Sequence, residues 1–340
     1  MSREHKQALH AGPPLSPDGR HSIDASFIVC TRNRAAALEA CISSIEAACE
    51  AGPLSCELVV VDNGSTDDTA ARLSRIAAKS AVAVRWMVEL RPGLAAARNT
   101  GMERARGRLL IFIDDDCIIE SSYLQDLNRH YSAGERCIVR GGRVDLGSPH
   151  DLPFTIKRSR FQAHFTPDVH PGGFVLGCNM TMHREAAARI GRFDERFGAG
   201  GPLRSAEDTD YLVRAYQLGI PIEYVPDMTV QHFHDRTTRD AIEQLHRDYS
   251  LGNGGLCVKH AFKAPWLLRH FCWTTRSAWR ELLGGYRFDP EISLSHLTIV
   301  VMNLVGAAKF ALLAIRWPKQ ADADTTSHLP RRPQRESPPC

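Results

Sequence analysis

The chain has 340 residues, of which 43% are hydrophobic and 24% charged, with a formal net charge of +3 and a pI near 8.3. That length supports one large or two small domains with a substantial core, and the nearly balanced charge, with no basic recognition motif, excludes nucleic acid as an expected partner. Ten cysteines without a C-x-x-C pair, and a start (MSREHKQALHAGPP) lacking an apolar signal core, predict reduced thiols and a cytoplasmic location.

Residues 1–22, rich in Pro, His and Gly, predict a disordered N-terminus. From Ser26 onward, strand and helix patterns alternate. SFIVCT (26–31) reads as a buried strand, and residues 33–50 carry Leu38, Ile42 and Ile45 at helical spacing. ELVVVD (57–62) is a second strand, and 67–78 is a helix with Leu73 and Ile76 on one face. VAVRWMV (82–88) is a third strand, 93–106 an Ala-rich helix, and LLIFID (109–114) a fourth strand. Near-continuous apolar strands separated by helices predict an α/β fold with a mostly parallel sheet covered on both faces. Such sheets bind ligands beyond the carboxyl ends of their strands. Beyond Gly142 the alternation fades. GGFVLGCNMTMH (172–183) reads as a strand in a Gly-rich setting, 206–219 as a helix, and 222–225 and 228–234 as two short strands.

The fourth strand runs straight into Asp114, Asp115 and Asp116. Three adjacent carboxylates repel one another, and burying them unpaired is costly. A turn needs one Asp, not three. A divalent cation with a preference for hard oxygen ligands, Mn²⁺ or Mg²⁺, resolves the cost. On extended backbone, Asp114 and Asp116 are expected to point one way and Asp115 the other. An apolar strand ending in DD also describes a Walker B strand, but no G-x-x-x-x-G-K-[ST] segment accompanies it, which excludes a P-loop ATPase. Asp62 closes the second strand, where it would accept a base N–H or a ribose hydroxyl. Thr31 and Arg32, after the first strand, would line the same pocket.

FIVCTRNR (27–34), VVVDNGSTDDT (59–69), GLAAARNTG (93–101), LLIFIDDDC (109–117) and EDTDYLVRAYQLG (207–219) together resemble a family 2 glycosyltransferase of GT-A fold, over roughly residues 25–235. The resemblance implies transfer of a sugar from a nucleotide-sugar donor, with UDP the default nucleotide, usually with inversion at the anomeric carbon. It implies nucleoside contacts for Thr31, Arg32 and Asp62, and a base or diphosphate contact for Arg98. Asp114 would touch ribose or sugar, Asp116 would ligate the metal, and Asp115 would support either. The helix-start pair Glu207–Asp208 matches the family's base position, with Asp208 as base and Glu207 helping to hold the acceptor. Acidic residues also favour helix N-termini for electrostatic reasons alone. His232 would complete the metal site or contact phosphate, a role weighed against that of a core histidine. His234 shares its side of the strand. A zinc site at these histidines lacks further ligands at a telling spacing. Arg91 stands where relatives often carry Asn.

On this reading 23–240 is the catalytic domain, with a nucleotide-sugar half at 23–140 and an acceptor half at 141–240. A helical extension occupies 241–317 and a disordered tail 318–340. Residues 257–319 hold nine Lys or Arg against three Asp or Glu, and four of the five Trp. The stretch 293–317 is the most apolar in the chain, yet it contains Lys309. Basic residues and Trp beside an apolar helix predict peripheral membrane contact through 257–317 ahead of a span or a packed helix pair. Arg316-Trp317 echoes the end of the Q-x-x-R-W motif of processive synthases, but Leu313 replaces the Gln, so transfer of one or a few sugars is expected. The acceptor would be a glycan or a polyprenyl-linked lipid of the cell surface, met at the inner face of the membrane. Two other readings are a nucleotidyltransferase, which would want a Gly-rich, Lys-containing segment where CTRNRAAA stands, and a non-catalytic sugar-nucleotide-binding protein, which would have lost the carboxylates retained here.

Overall fold

Aliphatic and β-branched runs of five or six residues, each bounded by a helix, set the first half of the molecule. The computed structural model describes residues 23–132, 134, 137–289 and 294–316. The ends expected to be disordered, 1–22 and 318–340, and Trp317 lie outside these residues. In chain order the elements are β1 (Ala25–Thr31), α1 (Ala35–Ala51), β2 (Cys56–Asp62), α2 (Thr69–Lys79), β3 (Ala83–Val88), α3 (Leu94–Arg104) and β4 (Leu109–Asp114). There follow β5 (Cys117–Ile119), α4 (Tyr123–Tyr131), β6 (Val139–Leu146), β7 (Ala163–His164), β8 (Asn179–His183), α5 (Arg184–Ile190) and α6 (Glu207–Gln217). The chain continues through β9 (Ile222–His232), α7 (Arg239–His260), α8 (Leu268–Leu282) and α9 (His296–Arg316).

Among the described residues the strands form one nine-stranded sheet in the order β3-β2-β1-β4-β8-β6-β9-β5, with β7 paired to β9. β3, β2, β1 and β4 are parallel, as their flush apolar sequences require. Thr31 sits opposite Asp62 and Cys30 opposite Asp114, so these strands end in one row. Beyond β4 the sheet is mixed. β8 runs antiparallel to β4 and β6, while β6 and β9 are parallel.

Side-chain alternation divides the core between the two faces. Phe27 and Val29 pack with Leu38, Ile42 and Ile45 of α1, and Ile28, Val59 and Phe112 pack with Phe193 and Tyr211 on the other face. Each such fully buried side chain contributes about 1.5–3 kcal/mol. The strand expected over 172–183 is confined to Asn179–His183. The preceding glycines at 172, 173 and 177 turn the backbone instead, with Gly173 at φ +80°. The two short strands expected at 222–225 and 228–234 are one strand, β9. Its pairing with β6 slips between Gly142 and Arg143, from Val225 to Thr229, which absorbs Pro226.

The C-terminal helices are sealed onto the sheet domain by a third cluster, including Phe197, Leu203, Leu251, Leu256 and Phe310. At two glycines α7 and α9 also come into backbone contact. A Cβ on Gly254 would lie 1.9 Å from the Asn303 carbonyl oxygen, and one on Gly306 would lie 1.9 Å from that of Leu251. The pairing 254 with 303 and 251 with 306 makes the two helices antiparallel.

Candidate active site

The row of strand ends opens into a cavity of about 680 Å³ whose far wall is the start of α6 and one side of α7. Thr31, Arg32, Arg98, Asp114, Asp115, Asp116, Glu207, Asp208 and His232 all line it. Asp62 does not. It is buried beside Thr31 in the adjoining strand, and its Oδ1 accepts the Ser65 backbone N–H at 2.8 Å, closing the turn after β2. Asn63, which does line the cavity, ties this turn to the entry of α3. Its Nδ2 donates to the Glu89 and Arg91 carbonyls, and its Oδ1 accepts from Gly93 N.

The three aspartates are arranged differently from the expected alternation. β4 ends at Asp114, and Asp115 and Asp116 form a two-residue turn into β5. The turn brings Asp115 and Asp116 to a shared partner. Arg34 Nη1 donates to Asp115 Oδ1 at 3.3 Å and also to Asp116 Oδ2. Thr31 Oγ1 donates to Asp115 Oδ2 at 2.6 Å. Asp114 looks the other way and accepts from Arg98 Nη2 at 3.0 Å. The expectation of Asp114 and Asp116 on one face is thus corrected, because a turn does not keep the period of a strand.

Arg34 is the functional-site residue that the sequence reading passed over. It occupies the N-cap of α1, where a cation opposes the helix dipole. That misplacement was the available sign that a carboxylate elsewhere holds it. The unusual Arg91 pairs with Glu89 and Glu195 at the surface.

Asp116 has a second partner in His232, whose Nε2 lies 3.3 Å from Asp116 Oδ1. Burial opposes the charged form of Asp116, but the His232 hydrogen bond and the Arg34 charge outweigh it and hold the carboxyl well below its usual range. Burial likewise opposes a charged His232, yet Asp116 raises the imidazole to about 9. Asp115, by contrast, is pushed up to about 6 by burial despite Thr31 and Arg34. His234 turns from the cavity toward Asp151, at 3.7 Å.

The donors around Asp116 fit a hard divalent cation. Ligand atoms of Asp116, Cys117 and His232 lie within 4.8 Å of one another. His232 Nδ1 faces the Thr155 carbonyl oxygen at 3.3 Å, an orienting contact that directs Nε2 to the metal side. Burial holds the Cys117 thiol protonated, so the available set is one carboxylate, which suits a hard cation, and one imidazole, which ligates once it gives up the proton that Asp116 favours on it.

The second carboxylate pair opens α6. Two residues before it are in the left-handed region, Arg204 at φ +63° and Ala206 at φ +71°. For a non-glycine residue this conformation costs about 1–2 kcal/mol, and such strain concentrates at functional sites. The turn aims Asp208 into the cavity, where its Oδ2 accepts the Gly177 N–H at 3.0 Å and its Oδ1 the Thr209 N–H at 2.6 Å. Glu207 is buried and accepts from Arg98 Nη1 at 2.9 Å. Burial and the adjoining Asp208 raise its carboxyl to about 7. Arg98 is therefore buried between two carboxylates from distant parts of the chain, Asp114 and Glu207, rather than lying on a helix surface. The Gly-rich segment 172–178 lies between these walls, contributing Gly172, Gly173 and Gly177 to the lining. Asn179 serves the scaffold, accepting from Tyr123 Oη at 2.7 Å and donating to the Met228 carbonyl at 2.9 Å.

The family model Glycosyl transferase family 2 matches residues 26–191, and Glycosyl transferase family group 2 matches residues 109–315. The chain is 25% identical over 238 residues to Glycosyltransferase AglE of Haloferax volcanii, covering 68% of this chain and 73% of that protein. It is 24% identical over 270 residues to Pre-mycofactocin glycosyltransferase of Mycobacterium tuberculosis, covering 75% of this chain but only 51% of that protein. The mannosyltransferase PcManGT from Pyrobaculum calidifontis, solved with GDP-Man and Mn²⁺, superposes with a TM-score of 0.52 at 18% identity, over 93% of this chain and 92% of that one. That likeness shows a shared fold.

Proposed function

The chain belongs to glycosyltransferase family 2, with a GT-A fold, and from that premise we propose that its cleft carries out an inverting, metal-dependent transfer from a nucleotide-sugar, UDP-linked by default, to a glycan or lipid-linked acceptor of the cell surface. The observation that carries this reading is the buried Arg98, which joins Asp114 to Glu207 and so sets the aspartate turn and the Glu207–Asp208 pair on facing walls of one cavity. Support for a bound cation comes from the donor set at Asp116 and His232, and from the Mn²⁺ in the fold relative.

Asp116 and His232, with Asp114 nearby, would hold Mn²⁺ or Mg²⁺, which when bound neutralises the donor diphosphate and the charge that grows on it as it leaves. Thr31 and Arg32 flank the nucleoside end, and Asp62 supports it from behind by fixing the turn after β2. Arg98 orients Asp114 toward ribose or sugar. Asp208 accepts the acceptor hydroxyl proton as that oxygen attacks the anomeric carbon. The new C–O bond forms on the face opposite the diphosphate, the old C–O bond breaks, and its electron pair leaves with the phosphate oxygen. Glu207, tied to Arg98, holds the acceptor side.

The test is thermal shift with UDP, GDP and dTDP, with and without Mn²⁺, followed by a donor screen read by mass spectrometry. The expected result is stabilisation by one nucleotide that requires Mn²⁺, since a ligand at 100 times its Kd adds about 2.7 kcal/mol. Stabilisation by none of the three, or by one equally without metal, removes the reading.

A further inference from the structure

We propose that α8 and α9 form a docking surface for an anionic lipid bilayer, with α9 lying in the plane of the interface rather than crossing it. This inference stands on the surface of the C-terminal helices and does not depend on the sugar chemistry of the cleft.

α9 is long and apolar enough to cross a membrane by length and composition, but only one side of it is covered by protein. Asn303, Gly306 and Phe310 are buried, while Leu297, Val301, Leu304, Val305, Leu312 and Ile315 are exposed, the last at 83%. Those six positions recur at helical spacing and make one unbroken apolar stripe about 27 Å long. A stripe of that size on a single chain marks an interaction surface.

The neighbouring helix identifies the partner. α8 exposes Trp273 and Trp279 interleaved with exposed Arg269, Arg276 and Arg280. Arg276 and Arg280 have no carboxylate partner among the described residues. Trp273 meets His296 at the start of α9 edge to face, with ring centroids 5.6 Å apart, so the two exposed faces adjoin. Tryptophan beside unpaired arginine, next to an aliphatic stripe, matches the layered chemistry of a bilayer surface with anionic headgroups.

The seam with α7 decides between lying and spanning. α9 is antiparallel to α7 at backbone contact, so its C-terminal half runs beside the N-terminal half of α7, which carries Asp240, Glu243, Arg247 and Asp248. A crossing α9 would draw those charges into the hydrocarbon or tear the seam. Lying flat, it buries only the stripe. α7 also lines the cavity with Leu245, Tyr249 and Asn253, so docking sets the cleft wall beside the lipid surface.

The experiment is vesicle flotation of the full chain with phosphatidylcholine alone and with added phosphatidylglycerol, together with alkaline carbonate washing and solution mass by light scattering. We expect flotation with the anionic vesicles, weakened by salt, and release by carbonate. Arg276→Gln with Arg280→Gln should lower anionic partitioning about 25-fold, at roughly 1 kcal/mol per basic residue. Leu304→Gln with Val305→Gln should reduce binding to both vesicle types. Each variant should keep the wild-type circular dichroism spectrum and melting temperature, which shows that it is folded. Failure to float on anionic vesicles overturns the proposal, as does unchanged binding by both double variants. Retention through carbonate overturns the in-plane placement, and a stripe-dependent dimer that does not bind vesicles assigns the surface to a second copy instead.

Discussion

The two walls of the cleft use the same functional group under opposite conditions. On the β4 wall each aspartate has a cationic partner, Arg98 for Asp114, Arg34 for Asp115 and Asp116, and His232 for Asp116 as well. On the α6 wall Asp208 is held by two backbone N–H groups and has no ion pair among the described residues. Charge-paired carboxylates on aligned strand ends suit a fixed site for a cation and a diphosphate. Asp208, held by the Gly177 and Thr209 N–H groups and the Thr209 hydroxyl at the end of a strained turn, faces the cavity without a cation against it. The difference teaches that the neighbours of a carboxylate, more than its residue type, set the part it can play, binding on one wall and chemistry on the other in the function proposed above.

The sharpest way to break this contrast is Asp208→Asn. It should lower kcat by about 10³–10⁴, at the upper end of general-base effects, while isothermal titration gives an unchanged nucleotide affinity. Transfer at the wild-type rate would move the base elsewhere. Next comes Asp210→Asn, which probes the scaffold under the α6 wall. Asp210 is fully buried among Lys259, His260 and Arg214, and removing its charge should cost about 3–5 kcal/mol in urea melts at neutral pH. Burial opposes its ionisation, but Lys259 and Arg214 outweigh it and hold the folded-state carboxyl well below 3.8. Its stabilisation is thus present above about pH 4 and lost as pH falls further, so the gap between wild type and variant should close in acid. A gap independent of pH would contradict the ionised network.

Asp116→Asn tests the other wall. Nucleotide affinity in Mn²⁺ should fall at least about 100-fold, since losing a ligand exceeds the 10–100-fold cost of losing an outer partner. Affinity without metal should change little. An equal loss in both conditions would make Asp116 a nucleoside contact. The smallest effect is expected from Gly306→Ala, which forces a methyl toward the Leu251 carbonyl and should destabilise by about 1–3 kcal/mol. Nucleotide affinity should be unchanged, because the β4 wall does not rest on α9. A loss of nucleotide binding would show that the walls are less independent than their packing indicates.

The first half of the sheet domain was legible because each strand there is a flush apolar run between helices, a pattern that admits few other folds. β1, β2, β3 and β4 lie within one residue of their expected bounds. The second half was not legible in the same way. β6 reads VRGGRVDL, with Gly142 where the backbone of β9 crowds in, as a Cβ on it would meet the Met228 oxygen, and Gly141 against the Val175 side chain. Its strand character comes from pairing with β8 and β9, which no local window contains. At the site, the repulsion among Asp114, Asp115 and Asp116 could be read from three letters. Their partners could not, since Arg34 lies more than eighty residues upstream. The alternation rule failed at Asp115 for a related reason, because β5 had not been foreseen and the chain must turn to reach it.

The glycine seam between α7 and α9 has a mechanical consequence. Where the two helices touch at Gly254 and Gly306 there is no side chain to deform between the backbones, so a tilt of one is carried to the other. Tyr249 and Asn253 ride on α7 in the lining of the cavity, and they move with α9 as the short arm of a lever moves with the long one. The angle of α9 is therefore coupled to the position of the α7 side chains that line the cavity.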